Sequence, residues 1–114
     1  MVKRYELNEK LCLALASAAY HGIIKEAENH VYYQPPENLK LSYPCIIYEW
    51  DGTTTRYADN RIYSMMRRYT VTVIDRDPDS QIPLAVAKLP MCSHDRNFIS
   101  DGLYHFVYTL YFQN

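Results

Sequence analysis

Glycine is scarce in this chain: Gly22, Gly52 and Gly102 are the only three. A phosphate-cradling loop, a dinucleotide fingerprint or a nucleophile elbow each needs several glycines close together, so none of them can be written here. Long apolar runs are also missing, and no run approaches the ~18 residues that a bilayer-spanning helix requires. No charge of one sign dominates: 12 Lys+Arg stand against 13 Asp+Glu, a formal net charge of -1. A chain so balanced lacks the basic excess that steers a domain onto phosphate backbones, so neither direct nucleic-acid binding nor membrane binding is expected. Cysteine is limited to Cys12, Cys45 and Cys92, an odd and widely spaced set that reads as reduced, mostly buried thiols. The first ten residues, MVKRYELNEK, lack the apolar centre and cleavage site of a secretion signal, so an intracellular origin is expected.

What is present suits one globular domain over residues 1–114. A chain of this length buries roughly two thirds of its unfolded surface around one core, and 48% of its residues are hydrophobic. Tyrosine is the abundant residue: there are 12, against 3 phenylalanines and 1 tryptophan. A tyrosine joins an apolar ring to a hydroxyl that needs a partner or water, which suits half-buried sheet faces and protein interfaces alike.

Leu7, Leu11, Ala14, Leu15 and Ala18 form a single stripe at helical period, with Asn8 expected to cap the start and Gly22 to close the end. Residues 23–43 read as a surface connection, broken by Pro35 and Pro36, with one short edge-type strand at Val31 to Tyr33. From Cys45 the period becomes two. CIIYEW and RRYTVTVID predict two long strands paired as a hairpin, with a turn at Asp59 and Asn60 and a polar distal part that projects from the core. SQIPLAVAKLP restores a helical stripe of Ile82, Ala85, Val86 and Leu89, with Ser80 as N-cap. A short strand from Cys92 to Phe98 comes next. The chain then reaches a central strand whose one face is Tyr104, Phe106, Tyr108, Leu110 and Phe112. This order predicts the α+β class: an antiparallel or mixed sheet of about four to five strands with a long β-hairpin, covered on one face by two helices.

The residues richest in potential chemistry are Asp75, Asp77 and Asp79 in TVIDRDPDS. Alternating carboxylates open a calcium loop, but counting from Asp75 the sixth residue is Ser80 where glycine permits the bend, and the twelfth is Val86 where a bidentate Glu belongs. The stretch reads better as a strand end turned by Pro78 into a helix whose start is favoured by Asp79 and Ser80. Among His21, His30, His94 and His105 no pair stands at helical metal spacing and no Cys-x-x-Cys completes a zinc set, so no metal, no cofactor and no catalytic residue are assigned. Cys92 and His94 are the one nucleophile and base close enough in sequence for thiol chemistry, without a flanking signature. Basic residues cluster at Arg61, Arg67 and Arg68 among Tyr63, Met65, Met66 and Tyr69, a mixture that suits single-stranded nucleic acid or a protein interface; the balanced charge favours protein.

The stretches YPCIIYE, YTVTVIDRDPDS and ISDGLYHFVYTLYF, in this order and spacing, resemble the small tail-terminator proteins of long-tailed bacteriophages of Gram-positive hosts, also called tail-completion or head–tail joining proteins. The resemblance covers roughly residues 42 to 112. It implies a small α+β fold that forms a ring, expected to be a hexamer, on the finished tail tube. Such a ring ends polymerisation and presents a surface for head–tail joining, a structural and non-enzymatic role in the virion at the tail–neck junction, after assembly in the host cytoplasm. The implied partners are other copies of the chain, the major tail-tube protein and a head-completion or neck connector protein, with phage DNA passing through the ring. Candidate subunit or partner interface residues are Arg56, Tyr57, Asp59, Arg61, Tyr63 and Arg67 on the hairpin, and Asp75, Arg76 and Asp77 at the strand end. Alternatives are a head-completion connector, a single-stranded nucleic-acid binder and a Cys/His enzyme.

Overall fold

Period-two segments pair as their alternation dictates. The computed structural model describes the backbone of residues 3–19, 23–58 and 61–113, and the side chains of these residues apart from those at 3, 24, 54–58, 61–65 and 113. The turn residues Asp59 and Asn60, together with Gly22, lie outside the described residues. Helix α1 (Lys3–Ala19) and the short helix α2 (Ile24–Glu28) precede strand β1 (Val31–Tyr33). The long strands β2 (Cys45–Ala58) and β3 (Arg61–Asp75) come next, then helix α3 (Ile82–Ala87) and strands β4 (Cys92–Ser100) and β5 (Leu103–Gln113). The sheet is mixed, with the order β1-β2-β3-β5-β4; only β1 and β2 run parallel, and β3 lies at the centre with β5 interior beside it. The α+β reading holds, and one face of the sheet carries the helices.

Register explains why the core is on that face. Tyr48 pairs with Val71 and Val71 with Tyr108, while Ile46 pairs with Val73 and Val73 with Phe106, so apolar side chains line up across three strands. Leu7, Leu11 and Leu15 of α1 and Ile82 and Val86 of α3 join Tyr48, Tyr69, Val71 and Tyr108 in one buried cluster. Tyr48 and Tyr108 pack there with their hydroxyls provided for. Tyr48 Oη donates to Asn8 Oδ1 at 2.6 Å, and Tyr108 Oη donates to the Pro83 carbonyl at 3.2 Å. Burial of a polar hydroxyl without such a partner would cost about 1–3 kcal/mol.

Three expectations about the helices are corrected. Asn8 does not cap α1; it lies inside the helix (Lys3–Ala19), where its Oδ1 accepts from Tyr48 and its Nδ2 donates to Cys12 Sγ. Residues 23–43 are more than a connection, since α2 falls within them and buries Ala27 completely. At α3, Ser80 Oγ does accept the Ile82 N–H at 3.3 Å, yet the residue bordering the helix is Gln81, which makes no side-chain cap bond.

Candidate functional site

The hairpin outgrows its sheet. β3 pairs with β5 only from Asp75 to Met66, and β1 covers β2 only from Ile46 to Tyr48. Beyond that, Thr55↔Met65, Arg56↔Ser64, Tyr57↔Ile62 and Ala58↔Arg61 make a two-stranded ribbon with no third strand among the described residues. A two-stranded ribbon is marginal in water unless something packs against it. The molecule's extents, 50 × 28 × 28 Å, show how far this departs from a rounded domain.

The base of the ribbon is held by several specific contacts. A register shift between Trp50 and Gly52 leaves Asp51 as a bulged residue, and a bulge bends its strand and re-aims the residues beyond it. Arg68 Nε donates to Asp51 Oδ1 at 2.9 Å and its Nη2 to the Asp51 carbonyl at 3.3 Å, while the Thr70 hydroxyl donates to Asp51 Oδ2. Burial alone would raise the Asp51 carboxyl, but the Thr70 hydroxyl and then Arg68 outweigh it and hold the group below its usual value. On the opposite face Trp50 Nε1 donates to the Gly52 carbonyl at 2.7 Å, and the Arg67 guanidinium lies 4.3 Å from the centre of the Trp50 ring. Gly52 leaves room for this guanidinium: a Cβ on it would stand 2.6 Å from Arg68 Nη2, so the arginine would have to move. Gly52→Ala is therefore expected to push the guanidinium off Asp51 and let the Asp51 carboxyl titrate at higher pH. Carbon-detected NMR titration reads this directly, and an unaltered Asp51 curve would show that Arg68 accommodates the methyl in place.

The sequence-predicted interface residues fall in two separate places. Arg56, Tyr57, Arg61 and Tyr63 have their backbone on the ribbon and their side chains outside the described set, and Asp59 lies outside the described residues altogether. Arg67 is at the ribbon base. Asp75 ends β3 at the other extremity of the strand, eight residues and roughly 26 Å along it from Arg67. Asp75 Oδ1 accepts the Asp77 N–H at 3.2 Å and Asp77 Oδ1 accepts the Asp79 N–H at 2.9 Å, so each carboxylate fastens the turn through one oxygen. Arg76 extends over the Tyr43 ring at 5.7 Å. Arg67 and Arg68, adjacent in sequence, point to opposite faces of β3, one to Trp50 and the other to Asp51, and so do not form one basic surface.

Among the described residues no hydrogen bond joins Cys92 to His94. His94 Nε2 lies 2.6 Å from Asn97 Oδ1 and its ring meets Tyr108 edge-on, while burial pushes the Cys92 thiol up to about 11. Thiolate chemistry depends on a shift in the opposite direction. Among the described residues no three His, Cys, Asp or Glu side chains gather as a metal site.

Sequence reasoning found a strand from Cys92 to Phe98 but not that it forms the other edge of the sheet. Strand β4 pairs only with β5, and every residue from Ser93 to Ser100 is exposed. Its middle carries Asp95 and Arg96 beside a bulge, and its end presents Phe98 and Ile99, the latter 66% exposed. Central charges and a bulge guard an open edge against indiscriminate pairing. The only hint of this in the sequence is that Ser93 to Asn97 carries no apolar residue on either parity. No family model matches the chain, and no curated protein or solved structure matches it.

Proposed function

We propose that this chain is a structural subunit that assembles head-to-tail into a ring capping the tail tube of a long-tailed bacteriophage. The ring, built of six copies, ends tube polymerisation and offers its far surface to a head-completion or neck connector protein. The observation that supports this reading best is the pair of unlike open edges. One side of the sheet ends in the nine-residue strand β4, and on the other β2 runs on past the end of β1 toward the ribbon, with the Trp50 N–H taken by Gln34 Oε1. A subunit with a different adhesive edge on each side forms heterologous contacts, and these close into a ring when the rotation allows. The projecting ribbon supports the same reading, since it gains the packing it lacks by lying on a neighbour or on the tube. The fold class agrees with what the resemblance implies.

Electron microscopy of particles made without this gene tests the proposal. Loss of a cap gives overlong or unjoined tails; tails of normal length beside leaking heads would overturn it in favour of a head-completion protein.

A further inference from the structure

One flank of the molecule displays arginines that stack on aromatic rings. The Arg4 guanidinium lies 4.5 Å from the centre of the Tyr33 ring and 4.9 Å from that of Tyr5, and Arg67 lies 4.3 Å from that of Trp50. Tyr33 pairs with Tyr48 on the β1 side of the sheet, and Trp50 stands two residues later on β2, so these side chains share one flank on the helix-bearing face. Tyr5 is 59% and Trp50 45% exposed, an unusual display for rings of this size. Stacking uses the flat face of a guanidinium and leaves its N–H edge for an acceptor. Arg4 spends one such group on the Tyr48 hydroxyl at 3.4 Å, and neither arginine takes part in the ion pairs found among the described residues. Trp, Tyr and Arg are also the residues that most often anchor protein interfaces.

The far end of β3 displays acceptors. In the turn after β3, Asp77 and Asp79 are exposed, and Asp75 and Asp77 use one carboxylate oxygen each on the turn itself. Pro78 of this turn lines a groove of about 420 Å³ with Phe98, Ile99 and Tyr104, which brings the middle of the turn against β4 and β5. Arg76 of the turn reaches back over Tyr43 beside β2, but Asp75 ends β3 eight residues and roughly 26 Å along the strand from Arg67. The arginine patch and the acidic turn are therefore held apart, where one chain cannot bring them together and two copies can. With a net charge of -1 the whole chains barely repel each other, so this local complementarity governs their approach.

We propose that Arg4, Tyr5, Tyr33, Trp50 and Arg67 receive the acidic turn Asp75–Asp79 of a second copy of this chain. The inference rests on the ring reading and gives that ring its polarity: each subunit offers arginines to one neighbour and aspartates to the other.

Native mass spectrometry and light scattering of the full chain over a range of concentrations test it. Reversal of the patch (R4E/R67E) or of the turn (D77K/D79K) is expected to weaken assembly at least about tenfold, from the loss of two charge pairs and their replacement by like charges. A mixture of the two reversed chains is expected to recover assembly with strict alternation, because each reversed surface then meets its complement. R67E alone, whose side chain lies on an exposed ring, gives a smaller loss in the same direction and guards against misfolding at Arg4. Wild-type assembly that all these variants match, or a mixture that stays dissociated, overturns the pairing and leaves the ring itself standing. A wild-type chain that stays monomeric at every concentration overturns the pairing too, and the tail-length phenotype then decides the cap separately.

Discussion

Replacing Leu11 by Ala is expected to lower the free energy of unfolding by about 3–4 kcal/mol, within the usual range for a buried leucine truncation. Leu11 is fully buried at the middle of the α1 stripe, in the cluster that holds Tyr48, Tyr69 and Val71. α1 is the one long helix among the described residues, since α2 has 5 residues and α3 has 6, so little else can close over the vacancy. A loss of this size is a large share of the roughly 5–15 kcal/mol that a domain possesses. Leu13, two residues away and 53% exposed, is the internal control. Leu13→Ala is expected to stay within about 0.5 kcal/mol of wild type. Urea unfolding of both variants measures the contrast, and equal losses would mean that α1 docks through a different face.

The second large effect is alkaline. Burial first, and the nearby Asp75 carboxylate second, push the Cys45 thiol from 9.0 up to about 12. Burial likewise raises the thiols of Cys12 and Cys92, the latter to about 11, and the hydroxyls of Tyr48 and Tyr108. The folded-state value is the higher one in every case, so the unfolded chain releases its protons first as pH rises. The stability these groups contribute is complete below about pH 9 and is lost on the way to pH 12. For Cys45 alone the loss by about pH 11 is on the order of 2–3 kcal/mol. Unfolding measured in urea under reducing conditions from about pH 7 to about pH 11 is expected to show a steep decline above about pH 9. Cys45→Ala costs some stability at neutral pH through its cavity but should flatten that decline. A slope unchanged in Cys45→Ala would show that this thiol ionises as freely in the fold as outside it.

The alternation of Asp75, Asp77 and Asp79 has a geometric cause. The aspartates fasten a turn through Oδ1 atoms bonded to the second N–H along, which is why their spacing is two. Their outer oxygens are what the inferred contact uses. The residues grouped in sequence around Arg61 to Tyr69 fared differently, because neighbours on a strand alternate faces and Arg67 and Arg68 are therefore separated by the sheet itself.

By itself the sequence determined the elements whose periodicity is strong. The alternation in residues 45–50, 67–75 and 103–112 specified strands and which face of each is apolar, and the stripe through Leu7, Leu11 and Leu15 specified a helix and its buried side. These are local properties, because side-chain direction follows from backbone period alone. Only the tertiary structure decided what Asn8 does, since it stands inside α1 and accepts from Tyr48, which lies 40 residues away. It also decided that Gly52 lies against the Arg68 guanidinium, that the outer strand is β4, and that Arg4 and Arg67 come together near Tyr33 and Trp50 while Asp75–Asp79 lies at the far end of β3. Those facts depend on which strand lies beside which and in what register, and pairing between distant segments leaves no period in the chain.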